Sequence, residues 1–137
     1  MRAGSGVRVP EPPQRKVDVM RRVDKPWGHE IIWAVTDRYV GKVLHINKGG
    51  KLSLQYHRQK DETVMVWSGR MRFVSFAEGQ EPEVRDLGPG EAIHITPGLR
   101  HRMEGLEDCD VFEVSTTELD DVVRLEDAYG RQGTSKA

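Results

Sequence analysis

Four side chains, Gln55, His57, Glu62 and His101, carry the chemistry that this sequence can offer. They are oxygen and nitrogen donors of the kind that hold a borderline or hard divalent cation. Both stretches that supply them are framed by glycine. The first reads Gly49, five residues, Gln55-x-His57, four residues, Glu62, six residues, Gly69. The second reads Gly90, five residues, Thr96-Pro97-Gly98, two residues, His101. Side chains two apart on a strand share a face, so Gln55 and His57 enter one cavity if Leu52 to His57 is extended. Arg58-Gln59-Lys60-Asp61 forms a short polar bend, and a hairpin there brings Glu62 back beside His57. His101 must arrive from a later strand pair, and the site stands only if it ends up close to Gln55. His29 and His45 lack such a frame and read as ordinary polar residues. A barrel that kept the frame and lost the metal is the competing reading.

The elements that must position these donors are short. Apolar runs occur at Ile31–Val35, Val40–Asn47, Leu52–His57, Thr63–Trp67, Met71–Phe76, Glu83–Leu87, Ala92–Ile95 and Asp110–Thr116. Turn residues separate them at Lys48-Gly49-Gly50, Ser68-Gly69, Glu78-Gly79-Gln80, Gly88-Pro89-Gly90 and Pro97-Gly98. β-Branched and aromatic residues dominate the runs. This pattern predicts an all-β sandwich or barrel. Leu119 to Ala128 is the one segment read as a short helix. Donors that converge on an open-mouthed interior favour a jelly-roll barrel over an immunoglobulin-like sandwich, whose interior is filled.

At 137 residues the chain fits one domain. Residues 24–131 read as a single barrel. Residues 1–23 are a basic leader rich in Gly and Pro, free or acting as an arm, and residues 132–137 are a fraying end. A net charge of −1 gives no case for nucleic acid binding. The lone Cys109 excludes an internal disulfide and suits a reducing cytoplasm. No run reaches transmembrane length, and no apolar signal stretch opens the chain. Open strand edges and the N-terminal arm predict a homodimer.

These residues resemble the cupin superfamily, whose double-stranded β-helix carries two such boxes. Within it the chain is similar to the type II phosphomannose isomerase domain. The resemblance rests on Lys25-Pro26-Trp27-Gly28, Ser53-Leu54-Gln55-Tyr56-His57, His101-Arg102-Met103-Glu104 and the ending Asp120 to Arg131. It implies metal ligation by Gln55, His57, Glu62 and His101. Lys60 stands where the family usually has Arg, Gln59 where it has a second His, and Thr63-Val64 where it has His-Trp. These departures bear on the substrate, not on the ligands.

The resemblance implies a divalent metal, zinc first, with iron, manganese and nickel as alternatives. It also implies aldose–ketose isomerisation of a sugar phosphate like mannose 6-phosphate. Lys60, His94 and Glu113 are the candidates for moving the proton. The sequence leaves open whether His94 faces in or out. Arg100 and Arg102, flanking His101, are the candidates for clasping a phosphate. An iron-dependent oxygenase and a non-catalytic sugar-binding module are the other two readings, since barrels of this kind host many chemistries.

Overall fold

The computed structural model describes residues 14–17 and 20–134. The leader expected over residues 1–23 therefore lies mostly outside the described residues. Twelve strands follow along the described chain: β1 Arg21–Lys25, β2 Gly28–Val35, β3 Val40–Ile46, β4 Leu54–Tyr56, β5 Glu62–Ser68, β6 Met71–Phe76, β7 Glu83–Leu87, β8 Ala92–Ile95, β9 Arg100–Gly105, β10 Cys109–Ser115, β11 Val123–Glu126 and β12 Gly133–Thr134. They form two six-stranded sheets, ordered β1-β2-β3-β10-β5-β8 and β12-β11-β4-β9-β6-β7. The all-β expectation is met. β1 begins at Arg21, inside the expected leader, and β12 lies inside the expected fraying end. Among the described residues no helix is long and apolar enough to cross a membrane.

The period of two explains the packing. Along β5, Glu62, Val64 and Val66 are buried while Thr63, Met65 and Trp67 turn outward. β3 buries Val40, Lys42, Leu44 and Ile46, and β10 buries Cys109, Val111, Glu113 and Ser115. The inner faces meet in one apolar cluster that includes Ile46, Val64, Val66, Met71, Phe73, Ile95, Met103 and Val111. Each such side chain contributes about 1.5–3 kcal/mol when fully buried. Charged residues interrupt the same inner faces at Glu30, Lys42, Glu62 and Glu113. The interior is thus divided into a dry apolar part and a polar part.

The helix expected over Leu119 to Ala128 is not present. A turn at 119–120 leads into β11, which pairs with β4 on one side and β12 on the other. Val122 and Arg124 are both buried, a repeat of two rather than 3.6. So short a helix is marginal alone, whereas β11 gains backbone partners on both edges.

Gly69 shows how tightly the turns are set. Its φ is +79°, and a Cβ there would lie 2.2 Å from the Asp108 carbonyl oxygen. Gly79 has a similar φ of +72° but open space around it. Gly79→Ala should cost about 1–2 kcal/mol for the left-handed backbone alone. Gly69→Ala should cost more, because backbone must also move; urea unfolding of the two variants measures the difference.

Candidate metal centre

The donors come from both sheets. Gln55 on β4 stands directly opposite His101 on β9, so the two share a face. His57 follows β4 immediately. Glu62 opens β5 in the other sheet, so residues 58–61 form a crossing between sheets and not the expected hairpin. The crossing still delivers its residue: His57 Nε2 lies 3.3 Å from Glu62 Oε1, and His101 Nε2 lies 3.9 Å from it. One ligand atom from each of His57, Glu62 and His101 falls within 4.8 Å of the others, and all three residues are buried.

Backbone carbonyls set both imidazoles. His57 Nδ1 is 2.6 Å from the Asp121 carbonyl, and His101 Nδ1 is 2.9 Å from the Leu99 carbonyl. A carbonyl can only accept, so each Nδ1 carries a proton and donates it. In the neutral ring the lone pair on Nε2 then faces inward. His101 Nε2 is buried and has no hydrogen-bond partner. Burial holds the His101 imidazole below its usual range, outweighing the Leu99 carbonyl and Glu62. Two inward nitrogens and a carboxylate oxygen thus converge on one point. This is how histidines are held when they ligate a metal, with the outer nitrogen tied to a carbonyl. The donor set fits a divalent cation.

Lys60 forms the other wall. Its Nζ lies 2.9 Å from Glu62 Oε2 and 3.0 Å from Glu113 Oε2, all three side chains being buried. Burial alone would lower the Lys60 ammonium, but Glu113 and Glu62 outweigh it and hold it above its usual range. Burial likewise works against the Glu62 carboxylate, yet a proton on His57 Nε2, in the place a cation would take, and the Lys60 ammonium keep it well below the usual range. Burial and the charge of Glu62 push the Glu113 carboxyl up, against Lys60. Lys60, Glu113 and Gln55 line the same cavity as His57 and Glu62.

Three sequence-predicted residues stand elsewhere. His94 lies on the outward face of β8, exposed, with its Nε2 2.6 Å from Asp61 Oδ1; Ile93 and Ile95 are the residues that turn inward. Arg100 and Arg102 alternate with His101 along β9 and therefore face away from the cavity. Arg102 Nε donates to the Leu52 carbonyl at 3.1 Å, on the far side of the sheet.

Other residues take their place. Lys25, Glu30, Lys42, Arg124 and Arg131 also line the cavity. Lys42 has a readable signal: it interrupts the alternation Val40-x-x-x-Leu44-x-Ile46 at a position that must be buried. Asp121 has none. Its carboxylate accepts the backbone N–H groups of Arg58, Gln59 and Lys60 at 3.0, 2.7 and 2.9 Å, while its carbonyl holds His57. Asp121 thereby fixes residues 58–60 of the crossing, and Thr116 Oγ1 accepts the Asp61 N–H at 3.0 Å.

Residues 13–127 match the model of the family described as mannose-6-phosphate isomerase C-terminal. The chain belongs to this family. It is 37% identical over 116 residues to the mannose-1-phosphate guanylyltransferase ManC of Salmonella typhimurium, covering 81% of this chain and 23% of that protein. It is 35% identical over 118 residues to the mannose-1-phosphate guanylyltransferase of Escherichia coli, covering 82% of this chain and 24% of that protein. The chain thus spans about a quarter of the length of these relatives. Among solved structures, oxalate decarboxylase from Bacillus subtilis superposes with a TM-score of 0.68 at 14% identity, over 91% of this chain and 41% of that one. Such a likeness speaks for the fold alone, and the fold is an all-β cupin barrel.

His57→Ala and His101→Ala should each abolish bound metal in elemental analysis of the purified protein, whereas His94→Ala and Arg102→Gln should retain it. Asp121→Ala keeps the carbonyl that holds His57 but releases the backbone of residues 58–60, and should weaken metal retention less than either histidine variant, as read by competition with a chelator.

Proposed function

We propose that this protein is a metal-dependent aldose–ketose isomerase acting on a sugar phosphate of the mannose 6-phosphate type, in sugar-nucleotide or polysaccharide precursor metabolism. The observation that carries the reading is the convergence of His57, Glu62 and His101, the first two of which line a cavity together with a buried lysine and a second buried carboxyl. Family membership supports the class of substrate. Gln55, His57, Glu62 and His101 would hold the ion, with zinc as the first choice because the reaction needs no redox change. When bound, the ion supplies Lewis acidity toward a sugar carbonyl.

The chain's own groups do the rest. Lys60 Nζ, fixed between two carboxylates, presents an ammonium where negative charge develops on oxygen. Glu113 Oε2 is the atom we assign to carry the proton between adjacent carbons. Its carboxyl lies above the usual range, closer to what a base working near neutrality requires. Trp27, Leu44, Leu52, Met103 and Val122 provide apolar walls.

We place the protein in the cytoplasm as a homodimer. The outward face of the sheet containing β2, β5 and β10 supports association. Trp33, Trp67, Phe112 and Val114 are exposed there, and Trp67 stacks on Phe112 with ring centroids 5.3 Å apart. Contiguous apolar surface of this kind marks interfaces. Light scattering should give twice the chain mass, and Trp67→Glu should reduce it to one.

The chemical reading predicts deuterium incorporation from heavy water at the carbon next to the carbonyl of mannose 6-phosphate or fructose 6-phosphate. Chelation should stop it. Glu113→Gln should lower the rate about 10²–10⁴-fold with metal content unchanged. Oxygen-dependent turnover with bound iron, or tight sugar-phosphate binding without exchange, would overturn the isomerase.

A further inference from the structure

Two motifs near the ends of the folded chain meet at the cavity opening. Lys25 closes β1 and leads into Pro26-Trp27-Gly28. Arg124 lies on β11, and Arg131 follows the turn Asp127-Ala128-Tyr129-Gly130. All three line the cavity that contains His57, Lys60 and Glu62. Their burial is graded: Arg124 is buried, while Lys25 and Arg131 are only partly covered. Lys25 and Arg131 therefore belong to the part of the lining that reaches solvent.

The arginine nearest solvent is held in place. Arg131 Nε and Nη2 reach the Asp127 carboxylate at 2.8 and 3.1 Å, and its guanidinium carbon lies 5.7 Å from the centre of the Tyr129 ring. Asp127 also accepts the Arg131 backbone N–H at 2.7 Å. An arginine anchored on one side by a carboxylate and an aromatic ring is oriented in advance, at little further entropic cost on binding.

Charge explains what such a group is for. The deeper lysines are matched: Lys60 by Glu62 and Glu113, and Lys42 by Glu30 at 3.5 Å. Five cations and three carboxylates line the cavity, with Asp127 beside Arg131, and a divalent ion at the donor cluster would add two positive charges. The crowding is felt by the groups themselves. Burial, with help from Arg124 against the pull of Glu30, depresses the Lys25 ammonium; burial and then Arg131 depress the Arg124 guanidinium. A bound dianion relieves both.

We propose that Lys25, Arg124 and Arg131 form an oxyanion site that receives the phosphate group of a phosphorylated substrate. Two guanidinium forks and one ammonium suit a tetrahedral dianion better than a planar carboxylate, since three donors approach from different elements. The site takes the role that alternation along β9 denies to Arg100 and Arg102. Only the identity of the substrate rests on the isomerase reading; the oxyanion site rests on the cavity.

The test is calorimetric titration of the full chain with inorganic phosphate at low ionic strength, metal-loaded and chelated. Phosphate should bind in both forms. Lys25→Gln and Arg131→Gln should each weaken it by about 10-fold, the loss expected for one hydrogen bond to a charged group. Arg102→Gln should leave it unchanged, and all three variants should keep their metal. Lys25→Gln guards against a folding defect in Arg131→Gln, because Lys25 is partly exposed. Unchanged phosphate affinity in both opening variants overturns the proposal, as does binding that requires metal and ignores the variants. Variant-sensitive phosphate binding without isotope exchange on any sugar phosphate would uphold the oxyanion site and reject the isomerase. Exchange with insensitive phosphate binding would do the reverse.

Discussion

A lone pair buried opposite a carboxylate oxygen is repulsive unless something positive lies between them. His57 Nε2 and His101 Nε2 both face Glu62 Oε1, at 3.3 and 3.9 Å, and all three side chains are buried. Desolvating an ion costs several kcal/mol. The chain answers on one flank only, with Lys60, whose charge is shared between Glu62 and Glu113. Two carboxylates against one ammonium leave the group one positive charge short of balance. The place of that imbalance is the point on which the imidazoles converge. The electrostatics of that point suit a cation before any likeness to other proteins is considered.

Holding that arrangement is the task of the surrounding fold. The carbonyls of Asp121 and Leu99 choose the tautomers. The Asp121 carboxylate collects three successive backbone N–H groups and so tethers the crossing that carries Lys60 toward Glu113. Burial alone would raise the Asp121 carboxyl, but those N–H groups hold it below its ordinary range, as expected for an anion that anchors a loop. Behind His101 the Phe73 ring lies nearly parallel, with centroids 5.7 Å apart. The apolar part of the interior is therefore the rear support of the polar part.

Much of this was legible in the residues. Gly and Pro punctuation marked eight of the strands, and the glycine-framed boxes identified donors that the fold does bring together. What escaped has particular causes. β1 is an edge strand without apolar alternation, so Arg21-Arg22-Val23 read as part of the leader. β11 carries Leu and Val at spacings that suit a helix as well as a strand, and only its neighbours β4 and β12 decide. For β9 the information was present: once His101 faces inward, Arg100 and Arg102 must face outward by the same alternation that pairs Gln55 with His57. For His94 it was absent, because nothing local says which parity of β8 is inner. Asp121 acts on backbone groups and leaves no pattern to read.

Because the imidazoles belong to one sheet's side and Glu62 to the other, the centre acts as a calliper across the barrel. Its jaws are set by the thickness of the apolar filling between the sheets, Val64, Phe73 and Met103 among it. A change of one methylene in that filling can be absorbed by the fold at modest cost, yet it shifts opposing donors by a fraction of an ångström. Affinity for a small ion depends steeply on such fractions. Evolutionary drift in the filling would therefore retune the ion preference of this barrel long before it threatened the integrity of the barrel itself.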